Sequence, residues 1–261
     1  MHVAVAVKRA GSRENIWIYD TERGTRVPLD ANIAGPTLNS PRWSPDGKQM
    51  AYRRTRGKTS AMYVRASDGS GETRQVGPEI EGGLTVQDWS PDGRYLAYDL
   101  TKFLGPDNWK DTLQVIPING VSRPVFEIQD AADVKFSPDG RWLSYSDHNT
   151  GQIYVTRFPS LADRMRSRPR VETIRAATAM ARSFFRFSND EMLFSVQVRE
   201  TAEEFRVLSA HLLFLIGLPK HGALYGVSRD GKRFLIDIRT PREELEPLTI
   251  DSNWLSSVGS H

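Results

Sequence analysis

The sequence predicts an all-β chain: a six-bladed β-propeller of four-stranded antiparallel blades, with an incomplete first blade. Three observations carry that prediction. One turn motif recurs along the chain, bulky apolar side chains stand in fixed phase to it, and the repeat has the length of a propeller blade.

Ser44-Pro45-Asp46-Gly47, Ser90-Pro91-Asp92-Gly93 and Ser137-Pro138-Asp139-Gly140 are identical, while Ser188-Asn189-Asp190-Glu191 and Ser228-Arg229-Asp230-Gly231 are degraded copies. A given tetrapeptide is expected once in about 10⁵ positions, so three copies in 261 residues are not coincidence. Pro pre-sets φ for the second position of a type I turn, Asp bonds the backbone beyond it, and Gly takes the left-handed conformation that follows. Each motif therefore reads as a hairpin loop with a bulge, in which Asp46, Gly47, Asp92, Gly93, Asp139, Gly140, Asp230 and Gly231 are structural.

The flanks keep strand phase. One residue before each Ser lie Trp43, Trp89, Phe136, Phe187 and Val227; six after it lie Met50, Leu96, Leu143, Phe194 and Phe234; eight after it lie Tyr52, Tyr98, Tyr145, Val196 and Ile236. Positions six and eight point to one face of a strand, so every unit offers a large apolar pair to a sheet-sheet contact.

In chain order, the first unit opens at His2 to Lys8, a second strand with no turn motif before it, and continues through Ile16-Trp17-Ile18-Tyr19 to a turn at Asp20 to Gly24. The second runs from its motif to Met62-Tyr63-Val64, the turn Ser67-Asp68-Gly69 and a fourth strand, Thr73 to Val76. The third has Leu113-Gln114-Val115-Ile116 and Asn119-Gly120; the fourth has Ile153-Tyr154-Val155. The degraded motifs place the fifth and sixth, the last running out after Pro247 to Ile250 and Trp254. Successive motifs lie 46, 47, 51 and 40 residues apart, which is blade length. Val171 to Arg182 is the one stretch with a helical tendency, and it lacks a clean apolar face. A ring that meets at an incomplete blade needs its free edges covered, by the C-terminal segment or by residues of a longer parent chain, and the longer parent is the expectation.

The whole chain, 1–261, is expected to form a single domain. Lys plus Arg is 35 against 32 for Asp plus Glu, too slight an excess to select a polyanion. The absence of cysteine excludes disulfides, thiolate metal sites and a cysteine nucleophile. No run of 18 apolar residues exists, the longest being Leu212 to Leu218, so direct membrane insertion is not expected.

On these residues the chain resembles TolB-like propellers, in particular those at the C-terminus of bacterial membrane-anchored Ser/Thr protein kinases common in acidobacteria. Asn15 to Asp20 with Arg23-Gly24-Thr25, Ile153 to Pro159, Asp230 to Leu235 and Pro247-Leu248-Thr249-Ile250 with Asn253-Trp254 are similar to that group's first and closing blades. The resemblance implies a six-bladed ring that senses or binds a partner, extracytoplasmic in the parent architecture and cytoplasmic if expressed as written. No kinase glycine loop, catalytic loop or Gly-x-Ser-x-Gly nucleophile elbow is present, so neither kinase nor peptidase activity follows.

Five histidines, at 2, 148, 211, 221 and 261, lack the close spacing of metal pairs. A lyase or cyclase of the propeller type would need His148, His211 and His221 to converge with a carboxylate, and this is the alternative of another class, beside a peptidase propeller without its hydrolase domain. The repeated aspartates read as turn caps and form no Ca²⁺ loop. Arg53-Arg54-Thr55-Arg56-Gly57-Lys58 and Arg164 to Arg170 read as solvated basic loops, offset by acidic segments such as Glu243-Glu244-Leu245-Glu246 and without interleaved aromatics, so no nucleic-acid partner is expected. One insertion stands apart. Thr101 to Asp111 reads as a lengthened loop between second and third strands, with Lys102, Phe103, Trp109 and Lys110 beside Gly105-Pro106. Aromatic and charged residues in such a loop suit recognition, while a Trp folded back on the blade edge would be packing. The expectation is a monomeric, non-catalytic module that binds protein or peptide, with no metal and no cofactor.

Overall fold

A computed structural model describes residues 2–8, 14–30, 35–105, 108–119, 123–147, 149–150, 152–159, 165–166, 174–180, 183–188, 192–200, 205–215, 225–227 and 234–236. Every regular element among them is a strand, and none is a helix that could cross a membrane. The first sheet has three strands, β1 (His2–Val7), β2 (Asn15–Asp20) and β3 (Thr25–Pro28). The second has β4 (Thr37–Trp43), β5 (Gln49–Arg56), β6 (Thr59–Ala66) and β7 (Arg74–Glu81). The third has β8 (Gly83–Trp89), β9 (Tyr95–Gly105), β10 (Asn108–Pro117) and β11 (Phe126–Gln129), and the fourth β12 (Ala131–Phe136), β13 (Trp142–Asp147), β14 (Gln152–Arg157) and β15 (Met165–Arg166). Further on lie β16 (Ile174–Met180), β17 (Ser183–Ser188), β18 (Met192–Glu200) and β19 (Phe205–Leu215) in one sheet, and β20 (Tyr225–Val227) with β21 (Phe234–Ile236) in another. Neighbours in every sheet are consecutive in the chain, and the registered pairs are antiparallel, as in meandering blades. Two compact units divide the chain: residues 1–150 with 154–165, and 151–153 with 166–261.

The three identical turns have one geometry. Gly47, Gly93 and Gly140 stand at φ of 72°, 73° and 73°, the left-handed region that a Cβ disfavours. Their amides donate to the carbonyls of Ser44, Ser90 and Ser137 at 2.9, 2.8 and 2.9 Å. The Ser hydroxyl donates to Oδ1 of the turn aspartate, at 2.6, 2.6 and 2.7 Å for Asp46, Asp92 and Asp139. The same hydroxyl oxygen accepts from the amides of Gln49, Tyr95 and Trp142, and each Oδ1 also accepts from the amide two residues on. The loop's polar groups are thus satisfied within the loop, which lets a chain fold back in six residues without help from the core.

The turns set the register that the hydrophobic columns need. Trp43 pairs with Met50, Trp89 with Leu96, Phe136 with Leu143 and Val227 with Phe234. The fourth copy, without Pro and Gly, differs: Phe187 pairs with Leu193 rather than Phe194, so its return is one residue shorter. Its motif also lies between the second and third strands of its sheet, where the others lie between the first and second, because β16 precedes β17 at the edge of the sheet. β16 lies within the stretch with helical tendency, Val171 to Arg182, and its pairing with β17 makes the described part, Ile174–Met180, a strand.

In the first unit the columns make the cores between successive sheets. Ile16, Ile18 and Leu29 meet Leu38, Met50 and Tyr52; Met62, Val64 and Val76 meet Leu84, Val86, Leu96 and Ile116; Leu113, Val115 and Phe126 meet Val134, Phe136, Leu143 and Tyr145. Tyr52 stacks on Tyr63 and Tyr145 on Tyr154, with centroids 6.2 and 5.9 Å apart. Where the third sheet has Gln114 in place of that tyrosine, Tyr98 Oη donates to Gln114 Oε1 at 2.6 Å instead. Burial, then the charge of Glu127, pushes the Tyr98 phenol up to about 12.

Candidate functional site

The insertion at Thr101 to Asp111 is a strand pair, where the sequence suggests a loop. β9 and β10 continue their pairing past the body of the third sheet, with Thr101 opposite Asp111, Lys102 opposite Lys110, Phe103 opposite Trp109 and Gly105 opposite Asn108. A bulge between Asn108 and Trp109 takes up Leu104. The Gly105-Pro106 dipeptide suggests a chain break, yet the strand pattern on both sides of it suffices for a hairpin, which we term the arm.

The root of the arm is held tightly. Thr101 Oγ1 donates to Asp111 Oδ1 at 2.6 Å, Asp111 is buried, and its carbonyl accepts from the amide of Asp130 at 2.7 Å. Beyond the root the surface is open. Phe103 is 69% exposed, Trp109 55% and Leu104 54%, so Trp109 does not fold back onto the blade. Cross-strand partners share a face and sequence neighbours alternate, so Lys102 and Lys110 stand on one side of the arm and Phe103 and Trp109 on the other.

The basic run Arg53 to Lys58 is not a loop either. Arg53 to Arg56 form the end of β5, and only Gly57-Lys58 turn the chain. Arg53 Nη1 donates to the Leu84 carbonyl at 2.7 Å, and the Arg54 guanidinium lies 4.1 Å from the centre of the Tyr63 ring. Arg54 and Arg65 both face Asp30 Oδ2, at 3.7 and 3.2 Å. These cations are used internally, in the sheet rather than at its surface. Of Arg164 to Arg170, only 165–166 lie among the described residues, in β15.

His211 is exposed on β19, its Nε2 2.9 Å from Ser209 Oγ, whereas His148 and His221 lie outside the described residues. Asp190, Asp230 and Gly231 also lie outside them. Among the described residues no group of three His, Asp or Glu side chains is placed to hold a metal ion.

Sequence reading misses a polar seam along the first strands of three sheets. Each of β4, β8 and β12 carries a bulge a few residues before its turn, with Ser40 and Asp133 at φ of 53° and 56°. The bulges precede Arg42, Asp88 and Lys135, which occupy one repeat position, two before the turn Ser. The bulge in β8 leaves Gln87 out of the ladder, and its carbonyl accepts from Arg42 Nε at 2.7 Å and Lys135 Nζ at 2.6 Å. Asp88 Oδ2 accepts from the Phe136 amide at 2.8 Å. Deeper lies Asp99, 4% exposed: its Oδ2 accepts from Gln87 Nε2 and, at 3.3 Å, from the Asp133 amide, while Oδ1 has no hydrogen-bond partner among the described residues. Burial and then the neighbouring charge of Asp133 push its carboxyl well above the usual range. Burial likewise lowers Arg42 and Lys135, against the pull of Asp88 on both. The seam laces three sheets together.

No family model matches the chain. It is 40% identical over 63 residues to the uncharacterized peptidase YuxL of Bacillus subtilis, a match over 24% of this chain and 9% of that protein. It is 33% identical over 75 residues to the Tol-Pal system protein TolB of Methylococcus capsulatus, over 29% of this chain and 17% of that one. The chain thus matches under a fifth of the length of either relative. Its coordinates superpose on the crystal structure of TolB from Acinetobacter baumannii with a TM-score of 0.61 at 17% identity, covering 89% of this chain and 56% of that one. The fold is a TolB-like β-propeller. Within this TolB-like propeller the first sheet has three strands among the described residues, as the sequence leads one to expect of an incomplete first blade. The likeness to kinase-borne propellers rests on sequence resemblance alone.

Proposed function

We propose that this propeller is a non-catalytic recognition module of a larger bacterial protein and that it binds a protein or peptide through the arm. One observation carries the reading: two large aromatic side chains, Phe103 and Trp109, are held opposite each other on a hairpin that projects past its sheet, and both are more than half exposed. Leaving aromatic surface in water is costly, and aromatic anchors on a fixed frame are what interfaces use. A propeller hosts many functions, so the fold itself selects none of them.

The test is selection of binders from a random peptide library on the immobilised chain, followed by measurement on the Phe103→Ala/Trp109→Ala variant. Loss of a central aromatic anchor costs about 2 kcal/mol or more, a weakening of about 30-fold. An unchanged melting temperature with that loss supports the proposal. Selected binders that hold the variant as tightly as the parent refute it.

A further inference from the structure

We infer that the arm's partner is an extended segment in which acidic and apolar residues alternate, and that it adds as a strand to the outer edge of β9 beyond Thr101. The inference rests on the recognition role just proposed and goes further by naming the chemistry of the partner.

The free edge is the first step. β8 pairs with β9 only as far as Gly83 opposite Thr101, and β11 pairs with β10 only from Gln129 opposite Thr112. Past those points the arm's two strands bond each other, and among the described residues no strand lies along the outside of Lys102 to Leu104. Unpaired amides and carbonyls on an extended strand are a template for another strand.

The side chains select which strand. Lys102 and Lys110 are directly opposite each other, a like-charge pair that costs stability in an antiparallel sheet. No hydrogen bond or ion pair joins either lysine to another described residue. Carboxylates on the same face of an added strand convert that repulsion into attraction. On the reverse face an added strand runs beside Phe103 and Trp109, where only apolar side chains gain from contact. Because side chains of a strand alternate between faces, both demands are met at once by an acidic-apolar alternation. Lysines on an edge commonly keep other strands away. Here they discriminate by charge, admitting an acidic strand and rejecting a neutral or basic one.

The probe is a fluorescein-labelled decapeptide of alternating Glu and Val, read by anisotropy on the full chain, beside an alternating Lys and Val peptide and a Glu and Val peptide of the same composition in two blocks. The alternating acidic peptide should bind and the other two should not. Its affinity should fall about tenfold in Lys102→Glu/Lys110→Glu and fall also as salt is raised to about 0.5 M. Lys102→Gln/Lys110→Gln should give an intermediate loss while melting like the parent. Equal binding of the blocked and alternating peptides, equal binding by the charge-reversed variant, or no binding of the acidic peptide overturns the inference. If library-selected peptides of other composition are still lost on Phe103→Ala/Trp109→Ala, the arm remains a recognition element and only the partner's chemistry is wrong. If nothing that binds responds to any arm variant, both readings fall.

Discussion

Substituting alanine at Gly82 and at Gly93 separates two ways in which a glycine holds this fold. Gly93 stands at φ +73° in a turn where an added Cβ meets only Trp89 Nε1, at 4.0 Å. Its replacement costs the left-handed conformation and nothing else, about 1 to 2 kcal/mol. Gly82 stands at φ +126°, where an L side chain is more strained, and its Cβ would lie 2.8 Å from the Thr101 carbonyl oxygen. That oxygen is backbone in the central strand β9, at the root of the arm, and it has little freedom to withdraw. Strain of about 1 to 3 kcal/mol therefore adds to an overpacking cost of similar size, about 2 to 6 kcal/mol together. At about 2 to 4 °C per kcal/mol for a chain of this size, Gly82→Ala should lower the melting temperature by about 4 to 24 °C and Gly93→Ala by about 2 to 8 °C, the shift at Gly82 being the larger by a factor of about two to three. Differential scanning calorimetry of the two variants beside the parent decides it. Equal shifts, or a larger one at Gly93, would show that the close approach at Thr101 does not govern the cost.

Further outcomes follow from the same geometry. Gly93→Val, which forces a β-branched residue to positive φ, should cost about 1 to 3 kcal/mol in urea unfolding, and an unchanged midpoint would contradict the turn assignment. Leu96→Ala removes a fully buried side chain from the core between the second and third sheets and should cost about 2 to 5 kcal/mol by the same measurement; less than 1 kcal/mol would mean that the column is not core. Asp46 is held below the usual carboxylate range by the Ser44 hydroxyl and the Lys48 amide, and Asp92 and Asp139 are lowered despite burial by the corresponding bonds from Ser90 and Ser137. Depressed carboxyls stabilise the fold above their unfolded value and lose that contribution as pH falls through the folded one, so Asp46→Asn/Asp92→Asn/Asp139→Asn should lose less melting temperature than the parent below about pH 4. Asp99 has the opposite sign: its raised carboxyl is at no cost in acid and penalises the fold as pH climbs toward its folded value, so Asp99→Asn should melt above the parent at alkaline pH and converge with it in acid. A variant that matches the parent in acid and melts below it at alkaline pH would show that the ionised group is needed in the seam.

Features that depend on a few consecutive residues were legible in the sequence. The Ser-Pro-Asp-Gly turn closes its hydrogen bonds within six residues, so its repetition states where strands begin and which side chains face a core. Met50, Leu96 and Leu143 are all buried, and all three were placed by counting from the turn. The degraded fourth copy misled by one residue because no Gly holds the bulge that sets the register in the others. At Thr101 to Asp111 the sequence suggests a loop, and the structure shows two paired strands. The Gly105-Pro106 dipeptide carries that suggestion, and only the pairing of β9 with β10 reveals strand as far as Gly105 on one side and from Asn108 on the other. Charge runs were the least informative feature, since Arg53 and Arg54 belong to the same basic run as Arg56 yet turn toward Leu84 and Asp30 once β5 is in a sheet.

The amino-acid order by itself determined a chain of hairpins with one apolar face per strand, because turn chemistry and side-chain alternation act over distances that a few residues span. Tertiary structure decided the rest. Arg42, Asp88, Asp99, Asp133 and Lys135 meet only because three sheets stack and the first strands β4, β8 and β12 each carry a bulge at or just before their seam residues. Whether Trp109 faces solvent or the blade depended likewise on how far β9 outruns β8, a difference in length between two strands that pair only after folding.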